Sequence, residues 1–176
     1  NWKLERSRIG DSSLLNAKLL LPISRLSPLI SKYNQRMKIY FSGAISAGRD
    51  NLPIYQYIVQ RLQAQGHNVL SSHVADPEVL DREKDVPPRS VFDRDVAWVD
   101  ECEVMIAEVS TPSTGVGYEY GYAIQIGKPV LCVYRSGLRM TKMILGNPAS
   151  NLEVATYLTE LELDQIIDAF LKSVTA

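Results

Sequence analysis

Two carboxylates and a phenol give this chain its chemical interest: Glu119, Asp95 and Tyr40. Gathered in one crevice, such groups can carry out glycosyl transfer. One carboxylate attacks or stabilises an oxocarbenium-like centre while an acid assists the leaving group. Glu119 stands in the stretch Ala107-Glu-Val-Ser-Thr-Pro-Ser-Thr-Gly-Val-Gly-Tyr-Glu-Tyr-Gly-Tyr-Ala123, which runs from a strand end through a Gly-rich turn into a helix. A turn of this kind brings backbone N–H groups close to a ligand, and the helix N-terminus favours anionic groups such as phosphate. Each residue also has a plainer reading. Tyr40 could be strand packing, Asp95 a solvated helix residue paired with Arg94 or Arg89, and Glu119 a partner of the helix dipole.

Positioning these groups is the work of strands alternating with helices. Lys38-Ile-Tyr-Phe-Ser reads as a first strand, with Tyr40 near its end, followed by the turn Gly43-Ala-Ile-Ser-Ala-Gly-Arg-Asp50. Residues 51–65 carry apolar side chains at helical spacing (Leu52, Tyr55, Ile58, Val59, Leu62), and Gly66 is a stop signal. Residues 68–71 suggest a short second strand, and the polar, Pro-containing segment 72–88 a loop over the site. A helix is predicted over 89–103 and a strand over 104–109. A helix over 117–126, a strand over 130–134 and a short helix near 138–145 follow. A fifth strand over 154–158 and an amphipathic helix over 160–173 close the chain. Parallel strands need crossover connections, so the alternation implies a single-domain α/β fold: a doubly wound, flavodoxin- or Rossmann-like parallel five-stranded sheet flanked by helices. In such a sheet the loops after strands one and three flank a single crevice at the carboxyl ends of the strands. Tyr40, Asp95 and Glu119 converge there.

The composition fits one domain with a real core: 176 residues, 45% hydrophobic and 22% charged. A net charge of −1 offers no electrostatic case for a nucleic-acid polymer or a membrane as partner. Cys102 and Cys132 sit among apolar residues and read as buried thiols rather than a disulfide. Two histidines, His67 and His73, with no Cys/His spacing, give no expectation of a metal site. Residues 1–36 differ from the domain at 37–176. They hold seven Lys/Arg against two Asp/Glu and are rich in Ser and Leu, the profile of an organellar transit segment. An added amphipathic helix or an extraneous leader fits them as well. The expected location is the cytoplasm or nucleus, or the mitochondrion if residues 1–36 are a transit segment.

Three separated motifs, Ile39-Tyr-Phe-Ser-Gly-Ala-Ile, Asp93-Arg-Asp-Val-Ala-Trp and the 107–123 stretch, resemble the nucleoside 2-deoxyribosyltransferase superfamily. Within it the chain is most similar to the 2′-deoxynucleoside 5′-phosphate N-hydrolases, over roughly residues 37–158. The resemblance implies that Glu119 attacks C1′ of the deoxyribose, that Asp95 assists departure of the base, and that Tyr40 orients the nucleophile. It further implies that Ser113 contacts a 5′-phosphate, as does Thr141 supplied by the neighbouring subunit of a homodimer. Gly43, Ile45 and Gly48 in the first loop and Gly115 and Gly117 in the second turn would surround the substrate. His73 falls in a loop bordering the base. No cofactor is implied.

The chain departs from that pattern in its first loop, where a Ser and an Arg that hold phosphate are replaced by Ala44 and Ser46; Arg49 remains as one guanidinium, or as a helix-start partner of Asp50. Losing a charge-assisted contact costs about 1.5–3 kcal/mol. Three readings therefore compete. They are a deoxynucleoside monophosphate N-glycosidase, a deoxyribosyltransferase acting on free nucleosides, and a nucleotide-binding module without turnover.

Overall fold

The computed structural model describes residues 36–175, so the leader expected over 1–36 lies, but for Arg36, outside the described residues. Five strands, β1 (Lys38–Ser42), β2 (Asn68–Val69), β3 (Val104–Glu108), β4 (Val130–Arg135) and β5 (Leu152–Tyr157), form one sheet in the order β2-β1-β3-β4-β5. Every pairing is parallel. The helices are α1 (Leu52–Ala64), α2 (Val79–Glu83), α3 (Pro88–Glu101), α4 (Thr114–Gln125), α5 (Lys142–Leu145) and α6 (Glu160–Ser173). The predicted α/β architecture is the observed one.

Both faces of the sheet are covered, which is why β3 and most of β4 are continuous apolar runs. Along β1 the pleat divides the side chains. Ile39 and Phe41 enter a core with α1 and α6, whereas Tyr40 enters a second core with Val99 of α3 and Val116 and Ala123 of α4. Leu163, Ile167 and Phe170 of α6 are at most 2% exposed, each burial contributing about 1.5–3 kcal/mol. Thr159 caps α6 by accepting from the amide of Glu162 at 3.2 Å, and the Glu162 carboxylate accepts from the amide of Leu158 at 2.8 Å. Cys102 and Cys132 are free, buried thiols, and burial pushes both up, to about 11 and about 12.

Where boundaries differ from expectation, side chains account for it. Strand β2 stops at Val69 rather than Ser71, because the Ser71 hydroxyl donates to the carbonyl of Phe41 at 2.6 Å and accepts from its amide at 2.8 Å. A side chain thus replaces the last rung of the ladder. Segment 72–88 is not a plain loop: it folds into a 3₁₀ turn (Ser72–Ala75) and α2. Asp76 starts this second piece by accepting from the amide of Glu78 at 2.8 Å. Helix α4 begins three residues before the predicted start, at Thr114, since Ser113 caps it. Helix α5 is shorter than the predicted 138–145, beginning after Thr141 caps it, and β5 starts two residues earlier than the predicted 154.

Candidate functional site

The strand order reverses direction between β1 and β3, and the loops leaving those two strands are tied together at the carboxyl edge of the sheet. Asn51 Nδ2 donates to Thr111 Oγ1 at 2.9 Å, linking the first loop to the turn after β3. That turn is anchored from below by the fully buried Glu108, whose carboxylate accepts from the hydroxyls of Tyr157 (2.9 Å) and Ser110. The first loop is fixed by Tyr55: its hydroxyl accepts from the amide of Ala44 at 3.1 Å, and its ring lies where a Cβ on Gly43 would be only 2.9 Å away. Gly48 has φ +129°, a conformation open to glycine.

On this platform α4 turns Glu119 toward the end of β1. Its Oε2 accepts from the hydroxyl of Ser42, and Tyr40, 1% exposed, reaches the same carboxylate. Asp95 of α3 shares with Glu119 a cavity of about 350 Å³, walled by Phe92, Val96, Val99, Thr114, Gly115, Tyr118 and Tyr122. Phe92 and Tyr118 lie 5.8 Å apart, and Tyr118 stacks on Tyr122 at 6.4 Å.

The two carboxyls have different surroundings. Asp95 Oδ1 accepts from Arg94 Nε at 2.9 Å. Arg94 also pairs with Glu83 of α2 at 2.7 Å, lies 3.2 Å from His73 Nε2 and covers the ring of Trp98 at 5.0 Å. Asp95 is thus held by a guanidinium that is itself held on three sides. Among the described residues Glu119 forms no ion pair, and the Arg94 charge only weakly lowers its carboxyl. Burial pushes its carboxyl up to about 7; the bond from Ser42 opposes that rise and the charge of Asp95 adds to it. Tyr40 is driven far above the usual phenol range by burial and then by Glu119, and stays protonated as a donor.

A second cavity of about 490 Å³ is lined by Ser113, Thr114, Gly117, Arg139 and Thr141 among others. Thr114 borders both cavities, so they adjoin at the first turn of α4. The site residues expected from sequence therefore fall into three groups. Tyr40, Asp95 and Glu119 come together with Gly115 on one cavity, and Ser113, Gly117 and Thr141 line the other. Gly43, Ile45, Gly48, Arg49 and His73 line neither of the two. Arg49 spends its guanidinium on the carbonyls of Ala44 (3.3 Å), Val74 (2.9 Å) and Asp76 (2.8 Å), so it braces the first loop against the 3₁₀ turn rather than pairing with Asp50. His73 is half-buried against Arg94 and Trp98, not a solvent-exposed loop residue, and burial and then Arg94 lower its affinity for a proton. Among the described residues no group of three or more His, Cys, Asp or Glu side chains is placed to hold a metal ion.

Sequence reasoning passed over Ser42 and the cavity aromatics. Ser42 is two residues from Tyr40 and so on the same face of β1. Tyr118 and Tyr122 stand four apart on one face of α4. Both signals were available.

The nucleoside 2-deoxyribosyltransferase family model matches residues 39–164. The chain belongs to this family. A relative from Methanococcoides burtonii, provisionally named 2′-deoxynucleoside 5′-phosphate N-hydrolase 1, is 45% identical over 118 residues, covering 67% of this chain and 97% of the relative. The 5-hydroxymethyl-dUMP N-hydrolase of Danio rerio is 39% identical over 142 residues, covering 79% and 99%. The mouse protein of the same name is 40% identical over 146 residues, covering 78% and 84%. Among solved structures, a CMP N-glycosidase of Clostridium botulinum superposes with a TM-score of 0.57 at 20% identity, covering 76% of this chain and 98% of that one. That likeness places the deoxyribosyltransferase-family chain in the same fold.

Proposed function

We propose that the protein hydrolyses the N-glycosidic bond of 2′-deoxynucleoside 5′-monophosphates, releasing a free base and 2-deoxyribose 5-phosphate. The observation that carries the reading is the pair Glu119 and Asp95 on one apolar-walled cavity, with Ser42 and Tyr40 both directed at the Glu119 carboxylate. The names of the relatives supply the substrate class. Glu119 attacks C1′ as the C1′–N bond breaks, forming a glycosyl ester. A deoxyribose lacks the 2′-hydroxyl, so positive charge develops at C1′ more readily and a carboxylate can capture it. Asp95 assists the departing base, which stands among Phe92, Tyr118 and Val96, by relaying to it a proton taken up from solvent. Water then attacks C1′, its proton passing through Asp95 back to solvent, and the Glu119 carboxylate is regenerated. The phosphate lies at the N-terminus of α4 against Ser113, where unpaired amides favour an anion.

The enzyme acts as a homodimer in this reading, with Thr141 offered to the partner's phosphate site. Leu138, Met143 and Leu145, exposed beside Thr141 at 47%, 79% and 54%, are the apolar surface that a second copy would cover.

One observation favours the transferase alternative: with Ala44 in the first loop and Arg49 committed to carbonyls, that loop offers little charge to a phosphate. Incubation with the four deoxynucleoside 5′-monophosphates and the matching nucleosides, with free base followed by chromatography, tests both. Base release from the monophosphates alone is the expected result. Turnover of nucleosides only, dependent on an added acceptor base, would replace the hydrolase reading with the transferase.

A further inference from the structure

We propose that Ser42 is a positioning residue for the reaction, holding the Glu119 carboxylate in its attacking geometry and charge state by donating its one hydroxyl proton to Oε2 from the end of β1. The inference rests on the assignment of Glu119 as nucleophile. A serine 1% exposed needs a partner for its hydroxyl, and the partner present is Oε2 of Glu119. Its placement is tightly determined. Ser42 pairs in register with Ala107 in the sheet, and the next residue, Gly43, is pressed against the Tyr55 ring. The hydroxyl has no room to drift.

The groups acting on Glu119 from the packed elements are Tyr40 and Ser42 of β1 and Asp95 and Arg94 of α3. Arg94 is already engaged with Asp95 and Glu83. Against burial and the Asp95 charge, the donors that keep Glu119 ionisable are therefore two hydroxyls. Tyr40 can be replaced only at the cost of a large core side chain. Ser42 contributes a proton and almost nothing else, so its hydroxyl can be removed cleanly.

The test is the pH dependence of kcat/KM for wild type, Ser42→Ala and Ser42→Thr, alongside a carbon-13 NMR titration of the glutamate carboxyl carbons in the full chain without substrate. Glu119 must be ionised to attack, so activity rises with pH through its titration. Removing a donor to the charged form moves that titration upward. In Ser42→Ala the acidic limb and the Glu119 NMR midpoint both move up by about one unit, which lowers kcat/KM about fivefold at pH 7 while the loss closes toward pH 9.5. Ser42→Thr, which keeps a hydroxyl, returns both toward wild type. An unchanged NMR midpoint in Ser42→Ala overturns the proposal, as does an equal loss of activity at every pH. If the wild type releases no base from any monophosphate, the proposed function fails, and the NMR titration still decides the role of Ser42.

Discussion

Burial raises the Glu119 carboxyl from 4.5 to about 7, well above the usual carboxylate range. A raised carboxyl binds more protons folded than unfolded between those values. Its stabilising contribution is full below about pH 4.5 and is lost as pH rises through 7. The ionised form of Glu119, the proposed nucleophile, is therefore a burden to the fold, offset elsewhere, as is common at active sites. Glu119→Gln should lower kcat by at least about a thousandfold while monophosphate binding changes by a small factor. The same variant should be more stable than wild type at pH 8, by about 1–3 kcal/mol, with the gain vanishing at pH 4. Thermal unfolding at the two pH values, with turnover measured at pH 8, checks both halves. A Gln variant no more stable at pH 8 would mean that the charge is not strained where it sits.

At the scale of elements, the site depends on how closely α1 approaches the first loop. The Tyr55 ring sits fully buried against Gly43, pinned by its hydrogen bond to Ala44, so it cannot retreat from an added methyl. Gly43→Ala should cost about 1–3 kcal/mol and lower kcat by disturbing Ser42, its neighbour in sequence. A denaturation midpoint equal to wild type would show that the contact can relax. The strands and the main helices were legible in the sequence because apolar runs and helical spacing are local signals. So were the carboxylates, since each lies on a long periodic element. What could not be read depends on contacts made across space. Ser71 ends β2 by bonding to Phe41, thirty residues back along the chain. Arg49 is spent on carbonyls of a turn whose fold was unknown. The pairing of Asp95 with Arg94 was foreseen as one option of two, but the anchoring of Arg94 by Glu83 and His73 needed the folded segment 72–88.

For the whole molecule the open question is how many chains complete one site. Ser113 and Thr141 line the same cavity within one chain, while the proposed dimer hands Thr141 to a neighbour. Mixing Glu119→Gln with Thr141→Ala, each poorly active alone, decides between them. If Thr141 acts across the interface, half of the sites in a mixed dimer are intact, and activity should recover toward about a quarter of wild type after subunit exchange. If it acts within its own chain, every site in a mixed dimer carries one of the two defects and none is intact, so activity equals that of the unmixed sum and does not change with exchange. A constant sum over time would therefore remove Thr141 from the interface.

One feature of the sheet governs when any of this chemistry can appear. The β1–β3 seam joins Ile39 to Val104 and Ser42 to Ala107, so the strand carrying Tyr40 and Ser42 meets the helices carrying Asp95 and Glu119 only after a long intervening loop has closed. Such distant pairings form late and set the pace of folding. The candidate catalytic cavity is thus assembled on the seam of largest sequence separation in the sheet, and on this reading newly synthesised chains become competent only once that seam has closed.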